Sequence, residues 1–212
     1  MGAPRARKTQ EERTRATREA VLDATIRCLV RRGYAGTSTT AIQQEAGVSR
    51  GALTHHFATK QELMAAAVRH LTHTRMREFR ERAVQRPADA DPIEWGIHLI
   101  WREAIEGELF QAVIEIWNVA RTDEALHTAL RVAERELADA VRDQVSQAFG
   151  DEVASRPGFD RALRAVIVYA RGAAVTNIMQ RDRRRLIPFE RESVHIFRCL
   201  LAAPPDPTGV GG

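Results

Sequence analysis

The stretch that decides the fold lies at residues 38–57 and reads STTAIQQEAGVSRGALTHHF. Hydroxyl side chains stand where two short helices would begin, with Ser38 or Thr39 before the first and Ser49 before the second. Such side chains accept hydrogen bonds from the free N–H groups of a helix start. Gly47 lies between the two segments, where a tight turn favours a left-handed backbone. The stretch therefore predicts a helix-turn-helix.

The outward residues of the second short helix indicate what it would bind. Recognition helices present the side chains of their N-terminal half to base edges in the major groove. Arg50 suits bidentate pairing with guanine, and Gly51 and Ala52 leave room for a close approach to a duplex. Hydroxyl groups and the Lys60 ammonium suit phosphate oxygens. The candidate DNA-binding residues are Ser38, Thr39, Thr40, Ser49, Arg50, Gly51, Ala52, Thr54, His55, His56 and Lys60.

The charge of the chain is concentrated at the same end. Residues 1–60 hold eleven Lys/Arg and five Asp/Glu, a net charge of +6, whereas the remaining 21 basic and 23 acidic residues give −2. A basic N-terminal third on a nearly neutral body indicates a polyanionic partner for that third alone. On charge alone, a solvated charged helix remains an alternative.

Apolar residues recur at helical spacing along the rest of the chain, and no segment alternates convincingly with period two. We predict an all-α fold of about nine helices, with a helix-turn-helix domain at 10–58 and a helical ligand-binding and dimerisation domain at 59–203. Residues 1–9 and 204–212 are expected to be disordered. The predicted helices of the second domain begin near residues 59, 91, 108, 123, 159 and 188.

Aromatic and polar side chains concentrate in the helices predicted to start at 91 and 108. Large aromatic residues usually fill a core, and this interpretation stays open beside a second one, because helical bundles also host ligands between their helices. A polar residue amid apolar ones, such as Asn177, needs a partner if it is buried. The candidate ligand-binding residues are His98, Trp101, Phe110, Ile114, Trp117, Asn118, Arg121 and Asn177.

The helix predicted at about 159–181 is apolar on two faces. One face carries Leu163 and Val166, and another carries Val168 and Val175. A helix that is apolar on two sides needs two surfaces to pack against. We therefore predict a homodimer in which the helices at 159–181 and 188–202 pair with their symmetry mates as a four-helix bundle.

Several other classes of protein lack support in the sequence. There is no glycine-rich phosphate loop, no nucleophile elbow and no carboxylate pair with a partner base, so we predict no enzyme, no catalytic residue and no cofactor. Adjacent His55 and His56 would point about 100° apart on a helix, and His70 and His73 have no third ligand nearby, so we predict no metal site.

The two cysteines and the lack of long apolar segments bear on localisation. Cys28 and Cys199 lie in apolar helical patterns, so we expect buried thiols in a reducing compartment. No apolar run approaches the ~20 residues of a membrane span, and the N-terminus lacks the apolar core of a signal peptide. We therefore expect a cytoplasmic protein with no membrane contact.

A set of motifs between residues 33 and 63 resembles a known protein family. These are Gly33-Tyr34, Thr39-Thr40, Ala46-Gly47-Val48-Ser49, Gly51, Leu53, His56-Phe57, Lys60 and Leu63. The run resembles the TetR/AcrR family of bacterial transcriptional regulators over about residues 12–70. The resemblance implies a dimer whose first three helices bind DNA and whose later helices bind an effector and dimerise, with the effector pocket in the aromatic region.

The same resemblance implies particular DNA contacts, at Thr39, Ser49, Arg50, Gly51, Thr54, His55, His56 and Lys60. At the position of Thr54 the family commonly has a tyrosine. A threonine at this position keeps a hydroxyl group, but its side chain is shorter than that of tyrosine. The sequence thus predicts a ligand-responsive, sequence-specific repressor that binds a palindromic operator as a dimer. The alternative is a non-specific architectural DNA-binding protein, a class that tends to use apolar wedges and extended basic arms.

Overall fold

The structure, a computed structural model, describes residues 9–105, 108–178 and 183–204, and all regular elements within these ranges are helical. A π-helical segment, Ile100–Ile105, continues the fifth helix, and a 3₁₀ turn, Arg183–Leu186, precedes the last. The α-helices are α1 (Gln10–Gly36), α2 (Thr39–Ala46), α3 (Arg50–His56), α4 (Lys60–Ala83), α5 (Pro92–Leu99), α6 (Glu108–Ala120), α7 (Glu124–Phe149), α8 (Asp151–Ala154), α9 (Phe159–Asn177) and α10 (Ile187–Ala202).

The all-α prediction is confirmed, and the described residues form one more α-helix than the nine expected. The additional helix is α8, a single turn of four residues after Gly150. Its sequence is too short to show a helical period, so hydrophobic spacing does not reveal it.

The predicted disordered ends at 1–9 and 204–212 lie outside the described residues except for Thr9 and Pro204. Thr9 caps α1, because its hydroxyl accepts the N–H of Glu12 while the Glu12 carboxylate accepts the N–H of Thr9.

The helices pack into two compact units. One contains the chain up to Leu71 together with Ala112–Arg135, and the other contains Thr72–Gln111 and the chain from Glu136 onwards. Helices α4, α6 and α7 each contribute residues to both units. This division of the chain into two units reflects how its helices pack. The functional boundary predicted between residues 58 and 59 stays a prediction.

In the first unit, a single core joins the short N-terminal helices to α4, α6 and α7. Its fully buried side chains include Leu22 of α1, Ile42 of α2, Leu63 of α4, Ile116 of α6 and Leu126 of α7. Burying an apolar side chain of this size stabilises a fold by roughly 1.5–3 kcal/mol. Because α2 has 8 residues and α3 has 7, neither would persist alone, and this core holds them in place.

In the second unit, three phenylalanine rings pack together, and one of them lies against a glycine of α5. The Phe149 and Phe197 rings stack with centroids 4.9 Å apart, and Phe159 meets both edge-on. Gly96 lies against this cluster, and a Cβ there would approach three atoms of the Phe149 ring to 2.7 Å. Glycine at this position therefore allows the ring cluster to contact the backbone of α5 directly.

The two cysteines differ in their surroundings. Cys28 is buried in α1, whereas Cys199 is exposed on α10, with its Sγ 3.5 Å from Nε2 of His195. The expectation of two buried thiols is wrong for Cys199, because the apolar spacing of α10 is satisfied by Phe197 and Leu201 on its other side. In the part of the chain that the structure describes, no helix is both long and apolar enough to cross a bilayer.

Replacing Gly96 with alanine is expected to lower the free energy of unfolding by up to about 2 kcal/mol. Alanine favours a helix interior by about 1 kcal/mol, but overpacking against the Phe149 ring costs roughly 1–3 kcal/mol. The control is Gly51→Ala in α3, where a Cβ meets no heavy atom within 4 Å. Thermal unfolding followed by circular dichroism should therefore separate the two variants, and equal stability would contradict the close packing at Gly96.

Candidate nucleic-acid interface

Helices α2 and α3 are joined by a turn centred on Gly47. This residue has φ 66° and ψ 30°, the left-handed conformation that favours glycine. The N–H of Val48 donates to the carbonyl of Gln43 (3.2 Å), and that of Gly47 donates to Gln44 (3.3 Å). These bonds satisfy carbonyls at the end of α2 as in a Schellman motif. The predicted helix-turn-helix geometry is thus fixed by backbone hydrogen bonds at one glycine.

One side of α3 is buried and the other is open. Leu53 is 4% exposed, and Phe57, just beyond the helix end, is 3% exposed. Arg18 of α1 lies over the Phe57 ring, with its guanidinium carbon 5.3 Å from the ring centroid. The outward side chains fall into two groups, with Arg50, Gly51, Thr54 and His55 exposed and Ala52 and His56 half-buried. The structure therefore brings all six together on one short helix whose back is anchored.

The hydroxyl groups of this region already make hydrogen bonds within the protein. Ser38 and Ser49 accept from the backbone N–H of Ala41 and Ala52, at 3.1 and 3.2 Å. The Thr54 hydroxyl donates to the carbonyl of Arg50 at 3.0 Å. A hydroxyl oxygen keeps accepting capacity after one such bond, but its hydrogen in Thr54 is directed back to the helix. Thr39 and Thr40 are exposed at the start of α2.

The two adjacent histidines of α3 differ in environment. Their ring centroids lie 5.5 Å apart. Burial, with the nearby charges of His55 and Arg18, holds the pKa of the His56 imidazole below its usual value. The lowered pKa favours the neutral form of the His56 imidazole in the DNA-free protein. The sequence predicts no metal site at His70 and His73, and His70 pairs with Asp23 at 2.8 Å. Among the described side chains, no three His, Cys, Asp or Glu residues are grouped to hold a metal.

Part of the N-terminal positive charge is neutralised locally. Arg27 and Arg31 of α1 both pair with Glu45 of α2, with 2.8 Å between Arg27 Nε and Glu45 Oε1. Hydrogen bonds from the two guanidinium groups lower the pKa of the Glu45 carboxyl. These two arginines orient α2 against α1, a role that the sequence count of basic residues does not reveal.

Lys60, at the start of α4, lies against Tyr34. Its Nζ is 4.3 Å from the centroid of the Tyr34 ring and 3.4 Å from the Tyr34 carbonyl oxygen. Burial lowers the pKa of the ammonium group. The candidate phosphate contact is thus held by an aromatic ring and a carbonyl. Sequence reasoning included Tyr34 only as part of a family motif, and no local pattern indicated that it would contact Lys60.

The predicted ligand-binding residues are divided between the two units. In the second unit, Trp101 is fully buried and its indole N–H donates to the Ser193 hydroxyl at 3.0 Å. His98 is exposed and pairs with Glu190 at 2.8 Å, while Phe110 is buried and Asn177 half-buried. In the first unit, Ile114 and Trp117 are half-buried and Asn118 and Arg121 are exposed. These positions favour a core role for Trp101, and ligand binding stays a prediction.

A cavity in the first unit is lined by apolar residues of α1, α4 and α6. Its volume is about 10 Å³, less than a ligand needs. The lining residues are Ile26, Leu29, Ala67, Val68, Leu71, Ala112, Val113 and Ile116.

Comparison with known proteins identifies relatives for this arrangement of helices. A family model described as bacterial regulatory proteins of the tetR family matches residues 21–67, which include α2 and α3. The HTH-type transcriptional regulator CymR of Pseudomonas putida is 29% identical over 91% of this chain and 94% of its own length. An uncharacterised HTH-type transcriptional regulator of Mycobacterium bovis is 32% identical, and the match covers 58% of this chain and 63% of that protein.

Solved structures share the fold over most of the chain. A TetR transcription regulator from Haloarcula marismortui superposes with a TM-score of 0.67 at 20% identity, covering 88% of this chain and 98% of that one. The multidrug binding protein EbrR, complexed with imidazole, gives a TM-score of 0.57 at 23% identity, covering 88% and 96%. The helix-turn-helix geometry, the family model over residues 21–67 and these similarities together support a regulator of the TetR family.

Proposed function

We propose that this protein is a ligand-responsive repressor that binds a palindromic operator as a homodimer. The observation that carries the proposal is α3, a short helix with Arg50, Gly51 and Thr54 exposed on one side and Leu53 buried on the other. A recognition helix needs a polar surface for base edges and a rigid attachment to its domain. The proposed place of action is the cytoplasm, where bacterial DNA is found.

An apolar surface on the last two helices supports dimerisation. Among the described residues, five large apolar side chains are strongly exposed, and three of them are Val168 and Val175 of α9 and Ile187 of α10. The opposite side of α9 is buried through Leu163 and Val166. Exposed apolar patches of this kind mark association surfaces, and a twofold dimer would present two recognition helices to the two half-sites of a palindrome.

Side chains at the end of α6 and just after it support the proposal of a partly apolar effector site. Ile114 and Trp117 are half-buried on α6, beside exposed Asn118 and Arg121. The solved relative EbrR is named as a multidrug binding protein. An effector lowers operator affinity only by its differential affinity for the two conformations of the dimer. The proposal is that such a molecule favours a spacing of recognition helices that does not match the operator.

The alternative, an architectural DNA-binding protein, predicts a different footprint. A regulator would protect a single palindrome, with half-sites about one helical turn, roughly 34–36 Å, apart. An architectural protein would protect any duplex uniformly. The exposed, well-anchored α3 favours the regulator. Selection of bound fragments from the source genome, followed by footprinting, tests the proposal and would also reveal the operator.

Arg50→Ala and Lys60→Ala are expected to weaken operator binding in different ways. Loss of Arg50 should cost about 1–3 kcal/mol and relax specificity at one base pair. Loss of Lys60 should weaken binding to all DNA sequences alike. It should also reduce the slope of log affinity against log salt concentration by about one unit. The control is Arg156→Ala, an exposed arginine of the other unit. Wild-type affinity and specificity in Arg50→Ala would overturn the base-reading role.

Gly51→Ala is expected to stabilise the protein and weaken its binding to the operator. A Cβ at Gly51 meets no heavy atom within 4 Å, and alanine in a helix is favoured by about 1 kcal/mol. Against a duplex, however, the added methyl group would obstruct the close approach of α3. Thermal unfolding and fluorescence anisotropy on one preparation measure both effects, and an unchanged Kd would show that the DNA does not approach Gly51 closely.

Val175→Glu is expected to produce monomers that no longer hold the operator. Val175 is 44% exposed, and a carboxylate buried without a partner in an apolar interface is costly. Val84→Glu is the control, since Val84 is 81% exposed at the end of α4 and outside the proposed interface. Light scattering at micromolar concentration measures the assembly, and a monomeric wild-type protein would contradict the dimer.

An effector is expected to change tryptophan fluorescence and to lower operator affinity by about 5- to 150-fold. The first compounds to screen are partly apolar anions and carbonyl compounds, because Arg121 is a candidate partner on the same unit as Ile114 and Trp117. By linkage, the operator must weaken binding of the same compound by the same factor. A compound that saturates the protein and leaves operator affinity unchanged would contradict the proposed regulation.

A further inference from the structure

The kink near the end of α1 is held by a carboxylate from α6. Glu115 Oε2 accepts the backbone N–H of Tyr34 at 2.7 Å. The preceding residue, Gly33, has φ 64° and ψ 178° and interrupts α1. A Cβ at Gly33 would lie 2.6 Å from the same Oε2, so a glycine is needed both for this backbone conformation and for the close approach of the carboxylate.

The residue held in this way is the one that holds Lys60. Tyr34 presents its ring and its carbonyl oxygen to the Lys60 ammonium, at 4.3 and 3.4 Å. The next residue of α4, Gln61, donates from Nε2 to Asp123 Oδ2 at 3.1 Å. Asp123 in turn accepts the Leu126 N–H at the start of α7, at 3.0 Å. The start of α4 is thus tied at neighbouring residues to the α6–α7 corner.

We propose that Glu115 is a positioning residue for DNA binding, which acts through Tyr34 to hold the Lys60 ammonium ready for a phosphate. The inference rests on the proposed function, in which Lys60 contacts the DNA backbone. A lysine side chain has many rotamers, and ordering it only when DNA binds costs affinity. Contacts that order the side chain beforehand reduce that cost.

The direction of the expected change in operator affinity distinguishes the positioning role of Glu115 from a purely electrostatic effect. Removing a carboxylate from a DNA-binding unit reduces its repulsion of phosphates, so charge alone predicts tighter binding for Glu115→Ala. Loss of positioning predicts weaker binding, by roughly three- to tenfold. Glu115→Gln keeps a side-chain oxygen that accepts the Tyr34 N–H, and we expect it to restore most of the affinity.

The test measures operator affinity across a double-mutant cycle of Glu115→Ala and Lys60→Ala. The probe is a fluorescein-labelled duplex that the wild-type full-length protein selects from a random pool, titrated at several salt concentrations. If Glu115 acts through Lys60, Glu115→Ala weakens binding in the wild type and has little further effect in Lys60→Ala. The control is Glu124→Ala, which removes an acid whose side chain is 91% exposed at the start of α7.

Each result decides between distinct conclusions. Equal weakening by Glu115→Ala with and without Lys60 would assign Glu115 a structural role only and overturn the inference. Unchanged or tighter binding in Glu115→Ala, matching Glu124→Ala, would also overturn it. Should Glu115→Ala prove unfolded by circular dichroism, a Glu115→Gln variant that binds DNA as weakly as Lys60→Ala would count against the hydrogen-bond role. A wild-type protein that selects no duplex would refute the proposed function itself.

Discussion

Helices α2 and α3 span only 8 and 7 residues, and short helices of this kind do not persist alone in water. The surface proposed to read DNA therefore depends on burial of their inner side chains, Ile42, Leu53 and Phe57, in a core completed by other helices. That core includes Ile116 of α6 and Leu126 of α7, far along the chain. A change that moves α6 or α7 against this core would therefore disturb the packing that supports α3.

The electrostatics of the unit follow from the same packing. Of the basic side chains in the N-terminal third, Arg27 and Arg31 pair with Glu45, and Arg18 lies over Phe57. These exposed contacts add to the core packing that holds α1, α2 and α3 together. The exposed guanidinium of Arg50 and the half-buried ammonium of Lys60 remain as cations at the proposed interface. The basic end of the chain is thus partly a structural network and partly a binding surface.

The second unit is organised around aromatic packing. Gly96 accommodates the Phe149 ring, and Trp101 is fixed by its hydrogen bond to Ser193. The Ser193 hydroxyl accepts the indole N–H of Trp101 and so offsets the cost of burying that polar group in the core. This explains why an aromatic cluster in the sequence does not by itself distinguish a ligand pocket from a well-packed interior.

The sequence by itself determined the all-α fold, the helix starts at Ser38 or Thr39, at Ser49 and near residue 91, and the turn at Gly47, because capping and positive φ are local properties of the chain. It also indicated the outward face of α3, since helical spacing fixes which residues share a side. Only the tertiary structure decided that Glu115 holds the kink at Gly33 and that Tyr34 holds Lys60. Those contacts join residues up to 81 positions apart, and no local pattern specifies which distant side chains packing brings together.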